Sequence, residues 1–139
     1  MPEMDFEIWL IDDTDFILSL LERNIKYNFP SCSTLTFETA AAALEKLHER
    51  ARNGQKRPDY IVIDGQLSKD DQELARGENV VVRIRADNDN SSIFLIAFSS
   101  NPNSCFAMLK AGANLQVHKP CYDQIFVAIE RQTTSGNST

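Results

Sequence analysis

The chain has 139 residues, 42% of them hydrophobic, enough for one domain with its own core. Fourteen Lys and Arg against 20 Asp and Glu leave a net charge of −6, which argues against unaided binding to nucleic acid or to anionic membranes. No apolar run approaches the roughly 18 residues of a membrane span, and the opening MPEMDFE is no secretion signal.

Cys32, Cys105 and Cys121 are too widely spaced for a disulfide frame or a C-x-x-C metal knuckle, so a reduced, cytoplasmic protein is expected. Residues 6–11 form the first apolar run and read as a strand that ends against Asp12 and Asp13. DTDFILSLLERNIKYNF follows, with Ile17, Leu20, Leu21, Asn24 and Ile25 on one helical face. A strand over 33–37 precedes ETAAAALEKLHERARNG, where Ala40, Leu44, Leu47 and Ala51 align and Gly54 supplies the stop. The third strand, 60–63, runs straight into Asp64.

ENVVVRIRAD is the ambiguous segment, because three consecutive valines favour a strand. The alternating order on either side assigns it to a helix. A fourth strand over 93–98 leads to Ser99 and Ser100. In NPNSCFAMLKAG, Asn101 is the cap, Pro102 the first helical residue and Gly112 the terminator. The fifth strand, 115–118, ends at Lys119-Pro120, and a last helix over about 121–132 turns Ile125, Phe126 and Ile129 inward. Residues 133–139, TTSGNST, read as a disordered polar tail or the start of a linker, leaving 1–132 as the domain.

Five strands alternating with five helices predict an α/β fold, a doubly wound five-stranded parallel sheet of flavodoxin type. Such sheets bind ligands beyond the carboxyl ends of their strands. That edge would gather Asp12, Asp13, Asp64, Ser99 and Lys119. Carboxylates brought close together resist ionisation unless a cation intervenes, and Mg²⁺ suits an all-oxygen donor set.

In IWLIDD, YIVID, IAFSS and VHKP, and in Ala111-Gly112 ahead of the lysine, the chain resembles the receiver domains of two-component response regulators over about residues 5–132. The resemblance implies that Asp64 accepts a phosphoryl group from a histidine kinase or a histidine phosphotransfer protein. It implies Mg²⁺ on Asp13, Asp64 and the backbone carbonyl of Gln66, with Asp12 acting through a water. Lys119 would pair with a phosphoryl oxygen and precede a cis bond to Pro120. Ser99 would turn inward, switching the domain toward a downstream protein or output domain. No independent turnover, no direct nucleic-acid contact and no membrane span are expected; a homodimer is left open.

Several positions depart from the family pattern. Ser68 stands where proline is usual, the 68–77 segment is longer than usual, and Gln116 replaces a common aromatic. A mobile acidic loop beside the site is the expectation for SKDDQELARGEN. The span from Ser99 to Lys119 is shorter than usual. Two alternatives remain open: a pseudo-receiver that only docks partners, and a phosphohydrolase of the haloacid dehalogenase type opening on Asp13-Thr14-Asp15. His118 and His48 are read as structural and as solvated, respectively.

Overall fold

The computed structural model describes residues 6–137. Five parallel strands, β1 (Glu7–Ile11), β2 (Ser33–Phe37), β3 (Tyr60–Asp64), β4 (Phe94–Ser99) and β5 (Leu115–His118), form one sheet in the order β2-β1-β3-β4-β5. The helices α1 (Asp15–Asn28), α2 (Ala40–Arg52), α3 (Gly77–Arg85), α4 (Pro102–Ala111) and α5 (Asp123–Asn137) alternate with them. This is the doubly wound parallel fold the element order predicts. The nearly continuous apolar runs belong to β1, β3 and β4, the three inner strands, which helices cover on both faces.

Period-two alternation sorts the core into two layers. Trp9, Ile11, Ile61, Ile63, Leu95 and Ala97 pack under α2, α3 and α4. Ile8, Leu10, Val62, Ile96, Phe98 and Val117 pack under α1 and α5. The valine-rich segment is indeed helical: Val80, Val81 and Ile84 meet the first layer, and Val82 is left exposed. Two helical faces are shifted from the sequence reading. In α1 the buried stripe is Leu18, Leu21 and Ile25, with Ile17 and Leu20 only half-buried; in α2, Ala43 is buried and Ala51 exposed.

The ends of the helices follow local chemistry. Asn101 caps α4 by accepting the Asn103 N–H at 2.9 Å, and Gly112 closes it at φ +127°. Gly54 follows α2 at φ +65°. Helix α5 runs to Asn137, so residues 133–137 continue a helix where the sequence reads as a polar tail; the Thr133 hydroxyl donates to the Ile129 carbonyl at 3.0 Å. Residues 138–139 lie outside the described part. No helix in that part is long and apolar enough to cross a membrane.

The strand order reverses direction between β1 and β3. That is where a doubly wound sheet opens a crevice at its carboxyl edge, and both acidic segments end there.

Candidate functional site

At that edge Asp12 directly follows β1 and is only 2% exposed. Its Oδ1 accepts the Thr14 N–H at 3.0 Å, a local turn that starts α1, and its Oδ2 meets Lys119 Nζ at 3.0 Å. Asp64 ends β3 at 5% exposure. Its Oδ1 accepts the Gln66 N–H at 3.2 Å and lies 3.3 Å from Lys119 Nζ. Lys119 is aimed by its backbone, whose N–H donates to the Ser99 carbonyl at 3.0 Å, and its ammonium sits 5.3 Å from the centre of the Phe98 ring. The bond from Lys119 to Pro120 is cis, as expected. Asp13, half-buried, turns Oδ2 toward Ser68. One oxygen from each of Asp12, Asp13 and Asp64 lies within 4.8 Å of the others.

Burial pushes the Asp64 carboxyl up to about 6, and the Asp12 charge adds to the effect, against the opposing Lys119 ammonium and Gln66 N–H. For Lys119 burial works against the charge, but Asp64 and Asp12 outweigh it and hold the ammonium above its ordinary value. Asp13 also feels desolvation, yet the bonds from Ser68 and Thr14 keep it below the usual carboxylate range. Asp12 and Asp64 thus share one ammonium, and Asp13 lies beside them without one. The donor set is all oxygen and short of positive charge, which fits a hard divalent cation. The backbone carbonyl of Gln66 is another oxygen at this edge. The Gln66–Arg76 bridge is made by Leu67 N–H to Ala75 and by Gly77 N–H to Gly65, so that carbonyl is not consumed in it.

Ser99 is the last residue of β4 and is 2% exposed, whereas Ser100 is exposed. Its Oγ accepts the Asn101 N–H at 3.1 Å. Two glycines let backbone and side chains crowd here. A Cβ on Gly65 would lie 2.8 Å from Ser99 Oγ, and one on Gly77 would lie 2.7 Å from the Asp64 carbonyl oxygen. The structure therefore brings Asp12, Asp13, Asp64 and Lys119 into one cluster, with Ser99 packed behind the Asp64-Gly65 turn. Asp15 does not join it: it sits in the first turn of α1, where its carboxyl interacts with Glu38. Gln116, His118 and His48 are exposed.

The family model for the response regulator receiver domain matches residues 8–130. The chain belongs to the response regulator receiver family. Among solved structures it resembles the signal receiver domain of a DNA-binding response regulator (merR) from Colwellia psychrerythraea, with 20% identity, TM-score 0.71, and 91% of this chain and 99% of that one covered. It also resembles the phosphorylated cyanobacterial phytochrome response regulator RcpA, at 20% identity, TM-score 0.73, and coverage of 91% and 89%. The Mn²⁺-bound response regulator Rcp1 aligns at 18% identity, TM-score 0.63, and coverage of 82% and 81%. At these identities the likeness speaks for the fold. No curated protein sequence matches the chain.

Relative to the sequence reading, the 68–77 loop of this receiver is the main surprise. The expectation was a mobile acidic segment; the structure ties it down at several points. Leu67, fully buried, and Leu74 anchor its two ends in the core beneath α2 and α3. Asp70 accepts the first two helical N–H groups of α2, Ala40 at 2.7 Å and Ala41 at 3.0 Å, and Lys69 pairs with Glu38. At its start Ser68 donates both its N–H, at 3.0 Å, and its hydroxyl, at 2.5 Å, to Asp13 Oδ2. Composition alone hides this, because the segment's acidic residues look solvent-bound while the anchors are Leu74 within it and Leu67 just before it.

Proposed function

We propose that this receiver is an active phosphoacceptor, which takes a phosphoryl group from a phosphohistidine of a histidine kinase or phosphotransfer protein onto Asp64. An Asp64 carboxylate oxygen would attack phosphorus while the bond from phosphorus to the imidazole nitrogen breaks; the leaving nitrogen takes up one proton from solvent, giving an acyl phosphate on Asp64 and a neutral imidazole on the donor. Gln66 N–H and Lys119 both engage Oδ1, which leaves Oδ2 as the oxygen that would attack. Lys119 partly offsets the charges of Asp12 and Asp64 and would pair with a phosphoryl oxygen during transfer. Asp12, Asp13, Asp64 and the Gln66 carbonyl would hold Mg²⁺, which offsets the clustered charge and the charge of the transferring group.

Ser99 supplies the switch. Its hydroxyl accepts from Asn101, and turning to donate toward a phosphoryl oxygen would exchange one local bond for another. That event biases the domain between two conformations, which a downstream protein or an attached output domain reads. The domain acts as an acceptor without turnover of a free substrate. A cytoplasmic setting goes with such a phosphodonor.

The observation that carries this reading is the joint placement of Lys119 Nζ within 3.0 Å of Asp12 and 3.3 Å of Asp64. A phosphohydrolase opening on Asp13 and Asp15 would need both carboxylates at the site, and Asp15 interacts with Glu38 instead. Incubation with Mg²⁺ and a small phosphodonor should give one acid-stable, base-labile phosphoryl adduct by intact mass, absent in Asp64→Asn. No adduct, or an adduct unchanged by that substitution, refutes the assignment and leaves a docking-only pseudo-receiver.

A further inference from the structure

Asp13 is the most exposed of the three carboxylates. It is half-buried and lies one residue past the buried Asp12, and Lys119 does not reach it within ion-pair distance. Its orientation comes from across the crevice instead. The N–H of Ser68 (3.0 Å) and the hydroxyl of Ser68 (2.5 Å) both point to one oxygen, Oδ2. On the other oxygen there is only the neighbouring Thr14 hydroxyl at 3.3 Å. Two donors on a single carboxylate oxygen fix the carboxyl plane and leave the second oxygen as the more available one.

Ser68 can do this because the chain holds it firmly on both sides. Leu67 is fully buried and its N–H donates to Ala75 at 2.8 Å. Two residues on, Asp70 returns its N–H to the Leu67 carbonyl at 3.0 Å and caps α2 with its carboxylate. The enlarged loop is a brace that ends in a pair of donors. Proline at position 68 would lack the N–H and the hydroxyl alike.

We propose that Ser68 is a positioning residue for the metal site, holding Asp13 in the orientation that receives a divalent cation. This rests on the reading of Asp12, Asp13 and Asp64 as a Mg²⁺ site. Partners that orient a metal-ligating carboxylate commonly change metal affinity by about 10- to 100-fold when removed. Ser68→Ala deletes the hydroxyl and keeps the N–H, Ser68→Pro deletes both donors, and Ser68→Thr keeps both.

The test is calorimetric titration of the metal-stripped protein with MgCl₂ alone, without any phosphodonor. Affinity should stay near wild type in Ser68→Thr, weaken about 10-fold in Ser68→Ala, and weaken further in Ser68→Pro, toward 100-fold. Circular dichroism and melting in EDTA check that each variant is folded. If the proline variant is not, the alanine–threonine pair decides. Equal affinity across Ser, Thr and Ala overturns the proposal, and so does tighter binding in Ser68→Ala, which would mean that Ser68 competes with the metal. Asp13→Asn separates the two levels. If wild type binds no Mg²⁺, or if Asp13→Asn binds as well as wild type, the metal-site reading itself falls and the role of Ser68 falls with it.

Discussion

Removing the buried charge of Asp64 should make the metal-free protein more stable. Asp64 is held at 5% exposure with its pKa raised from 3.8 to about 6, by burial first and by Asp12 second. At pH 7.5 without a divalent ion the folded protein must therefore ionise a group that resists it. A shift of about two units corresponds to about 3 kcal/mol against the fold. Asp64→Asn keeps an acceptor for the Gln66 N–H and removes the charge. Lys119 loses one partner but keeps Asp12 at 3.0 Å. The net gain should then be about 1–3 kcal/mol, on the order of 5–10 °C in melting temperature for a domain of this size.

The sign can be checked against pH. A carboxyl whose folded pKa lies above its unfolded one binds its proton more tightly when folded. Its contribution is fully present below about pH 4 and is lost as pH rises through about 6. Asp13, with its lowered pKa, acts in the opposite direction at lower pH in both proteins, so the difference between wild type and Asp64→Asn isolates Asp64. Urea unfolding in EDTA at steps from pH 4 to 8 should show the two curves diverging between about 4 and 6 and running parallel above. Saturating Mg²⁺ at pH 7.5 should then narrow or reverse the gap, because wild type gains binding energy that the variant largely lacks. Parallel curves throughout, or a less stable Asp64→Asn at pH 7.5 in EDTA, would refute the account of a strained, charge-deficient site.

Two further outcomes follow from the packing around the site. Gly77→Ala forces a Cβ to 2.7 Å from the Asp64 carbonyl oxygen, a backbone atom that cannot swing aside; it should cost about 1–3 kcal/mol in urea unfolding and lower the yield of the phosphoryl adduct. Asp70→Ala removes the acceptor for the Ala40 and Ala41 N–H groups; it should cost about 0.5–2 kcal/mol and speed amide exchange at those two positions, with the rest of the sheet unaffected.

How much of this was legible in the residues depends on what each feature needs. The strands and their order of appearance could be read because helices bury both faces of β1, β3 and β4, which leaves long apolar runs in the chain. The ENVVVRIRAD helix could be read only through its neighbours, since Val80, Val81 and Ile84 give a helical stripe too short to beat the intrinsic strand preference of valine. In α1 the periodicity picks out Leu21 and Ile25 but favours Ile17 over Leu18. Leu18, Leu21 and Ile25 are the buried set, and the neighbouring Ile17 and Leu20 are equally apolar, so hydropathy does not choose between the two faces. Packing into the core layer that holds Leu10 and Val62 does.

The site divides in the same way. Asp12, Asp64, Ser99 and Lys119 each sit at the end of a strand or one residue beyond it, and strand ends are marked in the sequence by where an apolar run stops. Ser68 and Asp70 are placed by a loop whose course depends on two buried leucines and on the open N-terminus of α2, contacts made across 30 residues for Asp70 and 55 for Ser68. Nothing in SKDDQELARGEN distinguishes those contacts from a solvated acidic turn. The departure at position 68 nevertheless has a physical content that residue identity alone carries: proline has no N–H, and serine brings two donors to a carboxylate that otherwise has only a neighbouring hydroxyl. A loop lengthened at that point has the chain to spare for burying Leu67 and Leu74, and only a loop so anchored can hold those donors against Asp13.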